Sequence, residues 1–312
     1  MVAQSDTAVT RSTPAEDWVL ASNLRPRWKY NTVTASLART AYERRCSSLE
    51  RTVFVATTGR SGTMTLAHIC DQLDDVVALH EPHPIMNREV LELASAGEWG
   101  PVRRYYDCIK SVNIRRAAVG ARYYVEANHL FIKTFADLAL ADFGRRLAVL
   151  HLVRPPEQVA RSMYQIRDSE IGTDEGNGWW LDHRASTNLI DLRCELADNG
   201  EFGHPYVRML WYWYEIEARI SDWRERNPDV PFAELTTEDL SDPAAVGVAL
   251  DALGVEHDRD QLQAACGQRL HHKAEEKARA PLDADFAEAM HLRFLKLLDA
   301  RGYGSRVPGR GA

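Results

Sequence analysis

Cysteine is sparse and unpatterned in this chain: Cys46, Cys70, Cys108, Cys194 and Cys266 are scattered, odd in number, and never spaced as CxxC. That excludes a zinc knuckle and a disulfide framework and points to reduced thiols in a cytoplasmic protein. Long apolar runs are missing too. No stretch approaches the ~18 consecutive apolar residues of a membrane span. The opening residues, Met1 to Trp18, lack the apolar core of a secretory signal. Positive charge is not in excess, since 38 Lys and Arg face 45 Asp and Glu for a net charge of −7. That balance disfavours a nucleic-acid partner, because phosphate binding leaves a basic footprint. It leaves room for a local basic pocket around one anionic small molecule. Internal repeats and low-complexity segments are absent as well.

What is present is core material: 45% of the 312 residues are hydrophobic, too many and too evenly spread for a disordered chain. The length allows two domains of about 150 residues or one large α/β domain. Short β-branched or apolar runs predict strands at 52–56, 76–79, 130–133, 147–153 and 230–235. Helical spacing predicts helices at 32–42, 64–73, 157–165, 205–226, 243–253 and 283–301. Strands alternating with helices imply an α/β fold, a mostly parallel central sheet with helices on both faces. The polar, Gly-containing and aromatic stretch 168–203 is the candidate for a lid or insertion.

Thr58-Gly-Arg-Ser-Gly-Thr63 follows a predicted strand and opens a predicted helix. There, backbone N–H groups and the helix dipole converge on an anion, and Gly59 and Gly62 let the backbone come close. Arg60 adds a positive fork, and Thr63 and Thr65 add hydroxyl donors. The turn is not a Walker A loop, because no Lys follows Gly62. A second anion site is suggested by Leu150-His-Leu-Val-Arg-Pro-Pro-Glu-Gln-Val-Ala-Arg-Ser162. It presents Arg154 at a strand end and Ser162 eight residues on. The carboxyl ends of parallel strands are where open α/β sheets bind ligands.

Together these segments resemble the PAPS-dependent sulfotransferase superfamily. The resemblance spans about residues 50–300. It implies a P-loop NTPase-like sulfotransferase fold in which the segment 57–66 (Arg60, Ser61, Gly62, Thr63, Met64 and Thr65) holds the 5′-phosphosulfate of 3′-phosphoadenylyl sulfate. Arg154 and Ser162 would hold the 3′-phosphate. A third segment, Glu234-Leu-Thr-Thr-Glu-Asp-Leu-Ser-Asp-Pro243 followed by Leu253-Gly254, is similar to the family's "YEDL…DP…LG" stretch. Thr237 stands in place of the usual tyrosine, which puts an adenine contact in doubt. Arg60 replaces the lysine usual in the cytosolic phenol and steroid enzymes, so the chain looks more like the carbohydrate and bacterial branches. Arg269 to Lys273 is the substitute for a basic C-terminal segment closing on the nucleotide.

Transfer to a hydroxyl needs a base, and Glu81 in Leu79-His-Glu-Pro-His83 is the candidate, since related bacterial enzymes carry a Glu-Pro there. Burial would have to raise its pKa, and Arg60 would oppose that. His80 and His83 are rivals. Strand alternation points His80 away from Glu81, and His83 lies beyond a proline. The cytosolic enzymes' "KTHLP" histidine is replaced by Phe135, which argues for Glu81. By resemblance, Lys133 of that segment reaches the bridging oxygen or the 5′-phosphate. Glu126, Asn128 and His129 have side-chain types able to orient an acceptor hydroxyl. Trp179 and Trp180 are candidate acceptor contacts, whereas Trp211 to Tyr214 have the spacing of helix packing.

The expected organisation is an N-terminal extension over 1–50, a sulfotransferase domain over 51–304, and a flexible tail over 305–312. The expected activity is sulfuryl transfer from 3′-phosphoadenylyl sulfate, released as 3′,5′-ADP, to a carbohydrate or small-molecule hydroxyl. Glu81 would be the base, Lys133 and Arg60 would neutralise the leaving phosphate, and no metal is required. The alternatives are a divergent P-loop kinase and a nucleotide-binding protein without turnover.

Overall fold

The computed structural model describes residues 31–166, 170–266 and 282–306. Its centre is a sheet of five strands: β1 (Arg51–Ala56), β2 (Val76–His80), β3 (Tyr123–Ala127), β4 (Leu147–Val153) and β5 (Phe232–Thr236). The order is β2-β3-β1-β4-β5 and every pairing is parallel. Parallel neighbours cannot be joined by tight hairpins, so each connection runs over a face and usually carries a helix.

Side-chain alternation divides the interior in two. Val53 and Val55, Tyr123 and Val125, and Ala148 and Leu150 point to one face, and there they meet α2 (Thr63–Asp71), α5 (Pro243–Leu253) and α6 (Arg259–Cys266). Phe54, Tyr124 and Val149 point to the other. That face is covered by α3 (Pro156–Gln165), α4 (Pro205–Arg226) and α7 (Ala284–Ala300); α1 (Thr32–Arg45) packs beside it on Ser111–Ala117. α4 is buried nearly all round from Tyr206 to Ala218, its enclosed charges Arg208, Glu215 and Glu217 held by partners within the core. His204 caps its N-terminus by accepting from Tyr206 N–H, Pro205 occupies the first turn, and the helix stops before Asn227-Pro228.

One expectation changes. The run 130–133 is not a strand. Phe131–Phe135 forms a π-helical turn in which Phe131 and Phe135, four residues apart, both pack on Phe54 with ring centroids at 5.0 and 5.5 Å. The strand paired with β1 is Tyr123–Ala127, hidden in the sequence because Glu126 interrupts its apolar pattern. Glu126 is tolerated there by Lys110 Nζ at 2.6 Å, Tyr124 Oη at 2.7 Å and Asn128 Nδ2 at 2.9 Å. The described part of the suspected lid, 170–203, buries Trp180, Leu181, Ile190, Leu192 and Leu196 in the same core as α4. Its backbone is anchored as well: Leu189 and Ile190 N–H donate to the Glu215 carboxylate, and Trp211 Nε1 donates to Ile190 O.

Candidate active site

All five strands end at one edge of the sheet, and each is followed at once by a polar residue singled out by type. β1 leads into Thr57–Gly62, β2 into Glu81, β3 into Asn128 and His129, β4 into Arg154, and β5 into Thr237. The chain adds β2 and β3 on one side of β1 and β4 and β5 on the other, and such a switch point opens a crevice between neighbouring loops.

The turn after β1 is held in left-handed backbone, with φ of +81° at Gly59, +59° at Arg60 and +89° at Gly62. A Cβ on Gly62 would lie 2.9 Å from Leu240 Cδ1, so the segment after β5 packs directly on the turn. Thr237 adds a hydroxyl donated between Ser61 O at 3.0 Å and Val153 O at 3.2 Å. Within the turn, Ser61 Oγ donates to Gly59 O and is fully buried, so it stabilises the loop rather than facing the crevice. α2 then starts at Thr63 with no side chain capping it, which leaves its first N–H groups as anion donors. Met64 is exposed on that first turn, and Thr65 is half-buried.

Arg60 reaches across to α3, where its Nε donates to Ser162 Oγ at 3.1 Å. Arg154 donates from Nη1 to Arg60 O at 2.8 Å and from Nε to Gln158 Oε1 at 3.0 Å. Two guanidinium groups are thereby gathered at the ends of β1 and β4. Burial and the charge of Arg60 both hold the Arg154 pKa below its usual value. An anion seated between them would relieve that repulsion.

Glu81 lies at the end of β2, its N–H donating to Ala127 O, with φ at +43°. That left-handed step breaks the strand alternation, so His80 is not turned away as expected. Its Nε2 stands 3.9 Å from Glu81 Oε1 and 3.0 Å from Thr63 Oγ1, on the first turn of α2. Burial raises the Glu81 pKa, while Lys133 and Arg60 pull it back. His83 is exposed beyond the proline.

Lys133 sits on the π-helical turn and is 1% exposed. Its Nζ contacts His129 Nδ1 at 2.7 Å, Trp179 O at 2.8 Å and Tyr212 Oη at 3.0 Å, so it lies behind the crevice with its hydrogens engaged. Burial pushes its pKa well down. His129 has, by type, the means to orient an acceptor hydroxyl, and its Nε2 lies 3.4 Å from Glu81 Oε1, a neighbour its place in the sequence does not reveal. Trp180 packs on His129 at 4.9 Å and on Tyr212 at 5.4 Å between ring centroids, while Trp179 is half-buried. Tyr212 belongs to the apolar run on α4, and its hydroxyl donates to Thr58 O at 3.0 Å. Glu126 and Asn128 are fully buried, Asn128 Nδ2 and Lys110 Nζ both donating to the Glu126 carboxylate, away from the open edge. Arg269 to Lys273 lie outside the described residues.

No helix among the described residues is long and apolar enough to cross a membrane, and none of their His, Cys, Asp and Glu side chains group as a metal site. Comparison with known protein families and with curated proteins finds no match. Among solved structures, the chain is similar to the sulfotransferase STF1 from Mycobacterium tuberculosis H37Rv. The identity is 15%, covering 84% of this chain and 81% of that one, with a TM-score of 0.46. It is also similar to the sulfotransferase domain from the curacin biosynthetic pathway, at 13% identity over 80% of this chain and 98% of that one, with a TM-score of 0.43.

Proposed function

We propose that the chain is a sulfotransferase using 3′-phosphoadenylyl sulfate and a carbohydrate or small-molecule alcohol. One observation carries the reading: the Arg60–Ser162–Arg154 cluster adjoins an uncapped helix start, with a half-buried carboxylate, Glu81, across the same edge. The residues fit a nucleotide with two separate anionic ends. The uncapped start of α2 offers backbone N–H groups to one end, and the paired guanidiniums suit the other. When bound, the donor supplies the sulfuryl group and a phosphate leaving group.

The chain's own residues do the rest. Thr63, Met64 and Thr65 N–H groups and the Thr65 hydroxyl bind phosphate oxygens. Arg60 neutralises charge between the two anionic ends, and Arg154 and Ser162 select the 3′-phosphate. Ser61 holds the loop from behind. Glu81 takes the acceptor hydroxyl's proton, its desolvation making it a stronger base than a free carboxylate. Lys133 supports this centre from the interior.

Thermal shift with 3′,5′-ADP, AMP and ATP–Mg²⁺ tests the reading. Selective stabilisation by 3′,5′-ADP is expected, and Arg154→Ala is expected to erase the preference over AMP. Stabilisation by ATP–Mg²⁺ alone would sink the proposal in favour of phosphoryl transfer.

A further inference from the structure

We infer that His129 is a positioning residue that links Glu81 to Lys133, hydrogen-bonded to the lysine and close enough to the carboxylate for a small shift of the ring to complete a chain of three. The inference rests on the sulfotransferase reading for its part in transfer, but the contacts exist independently of it. His129 follows β3 and is 3% exposed, with Nε2 at 3.4 Å from Glu81 Oε1 and Nδ1 at 2.7 Å from Lys133 Nζ.

Counting hydrogens orients the ring. The Trp179 carbonyl can only accept from Lys133. The Tyr212 hydroxyl spends its single hydrogen on Thr58 O, so it too accepts from Lys133. The third hydrogen of an ammonium then goes to His129 Nδ1, and the neutral ring carries its own proton on Nε2, facing Glu81. A second arrangement holds the same number of protons. A Lys133 N–H bond breaks as Nδ1–H forms, and Nε2–H breaks as an O–H bond forms on Glu81. Lys133 ends as an amine, the imidazole stays neutral, and Glu81 ends as a carboxylic acid. Only the first arrangement leaves Glu81 able to take a proton.

The surroundings set the balance between the two. Burial favours the uncharged pair, pushing Lys133 and His129 down and Glu81 up. Arg60 and Lys133 favour ionised Glu81, and Glu126 opposes it. Glu81 supports the Lys133 charge and Arg219 opposes it, while Lys133 and His80 keep the ring neutral. His129 therefore carries the influence of a lysine that does not reach the crevice to a carboxylate that does.

The test is a ¹³C NMR titration of the Glu81 carboxyl in the full chain, assigned with Glu81→Gln. His129→Asn keeps a polar group near Nδ1 but removes the donor to Glu81, whereas His129→Gln can place an amide N–H near Nε2. His129→Asn should raise the Glu81 midpoint by about one pH unit, a roughly tenfold gain in proton affinity, and His129→Gln should recover most of it. Lys133→Met should raise it as well, but by less in the His129→Asn background than in wild type. An unmoved midpoint in His129→Asn, no advantage of Gln over Asn, or full additivity with Lys133→Met would each overturn the inference. The readout needs no turnover. Loss of selectivity for 3′,5′-ADP with these shifts intact would count against the sulfotransferase reading alone.

Discussion

Gly62 combines two constraints at one position: φ of +89°, and no room for a Cβ against Leu240 at 2.9 Å. Gly62→Ala is therefore expected to cost about 1–3 kcal/mol of backbone strain and to weaken 3′,5′-ADP binding. Adding Leu240→Ala removes the clash but not the strained φ, so calorimetry should show only partial recovery. On the proposed reading, Glu81 bears on chemistry rather than binding. Glu81→Gln should retain nucleotide affinity while transfer falls about 10²–10⁴-fold. Because burial raises its pKa, wild-type activity should fall on acidification at a pH above the ordinary carboxylate range of about 4. An acid limb unchanged in Glu81→Gln would assign the base elsewhere. Glu81, Arg60 and Arg154 were legible in the sequence because each follows an apolar run or a glycine turn. His129 was legible only by type, as able to orient an acceptor hydroxyl; its nearness to Glu81 was not, because that signal is a spatial neighbour, and Glu81's left-handed backbone hid the proximity of His80.

At the scale of elements, β4 is joined to α4 and β5 by a buried histidine. His151 Nε2 lies 3.0 Å from Glu217 Oε2, and its Nδ1 lies 3.2 Å from Glu234 Oε2. Burial opposes the imidazolium, but the two carboxylates outweigh it and raise the pKa to about 9. A histidine whose folded pKa is raised adds stability that is fully present below its unfolded value of about 6.5 and is lost as pH rises through about 9. Urea denaturation should show that loss, on the order of 3 kcal/mol at most, between about pH 6.5 and 9. His151→Gln should flatten the dependence, and an equally steep curve in the variant would place its origin in other groups. Strands β1 and β4 were readable as elements because their apolar and β-branched runs are strong, with His151 the one polar break in β4. β3 was not, because its buried Glu126 is stabilised by Lys110 from a distant turn.

Over the whole molecule, the segment 170–203 sits between crevice and core. Ile190 is fully buried, with Trp211 Nε1 donating to its carbonyl and Glu215 accepting from its N–H. Ile190→Ala should thus lower global stability by about 2–5 kcal/mol, as a core truncation does, measured by denaturant unfolding. A change under about 0.5 kcal/mol is what a peripheral loop would give. Net charge is likewise a property of the whole chain, and at −7 it conceals a basic crevice at one sheet edge. By itself the sequence determined the parallel α/β class, the glycine turn between β1 and α2, and the residue types of the proposed two-ended anion site. Those depend on local periodicity, backbone permissiveness and charge, which a linear pattern carries. Only the tertiary structure decided that Lys133 is enclosed, that His129 stands between it and Glu81, and that Arg60 reaches Ser162 on another helix. Apart from the local His129–Lys133 pair, these are distances between residues far apart in the chain, set by how the strands align at a common edge.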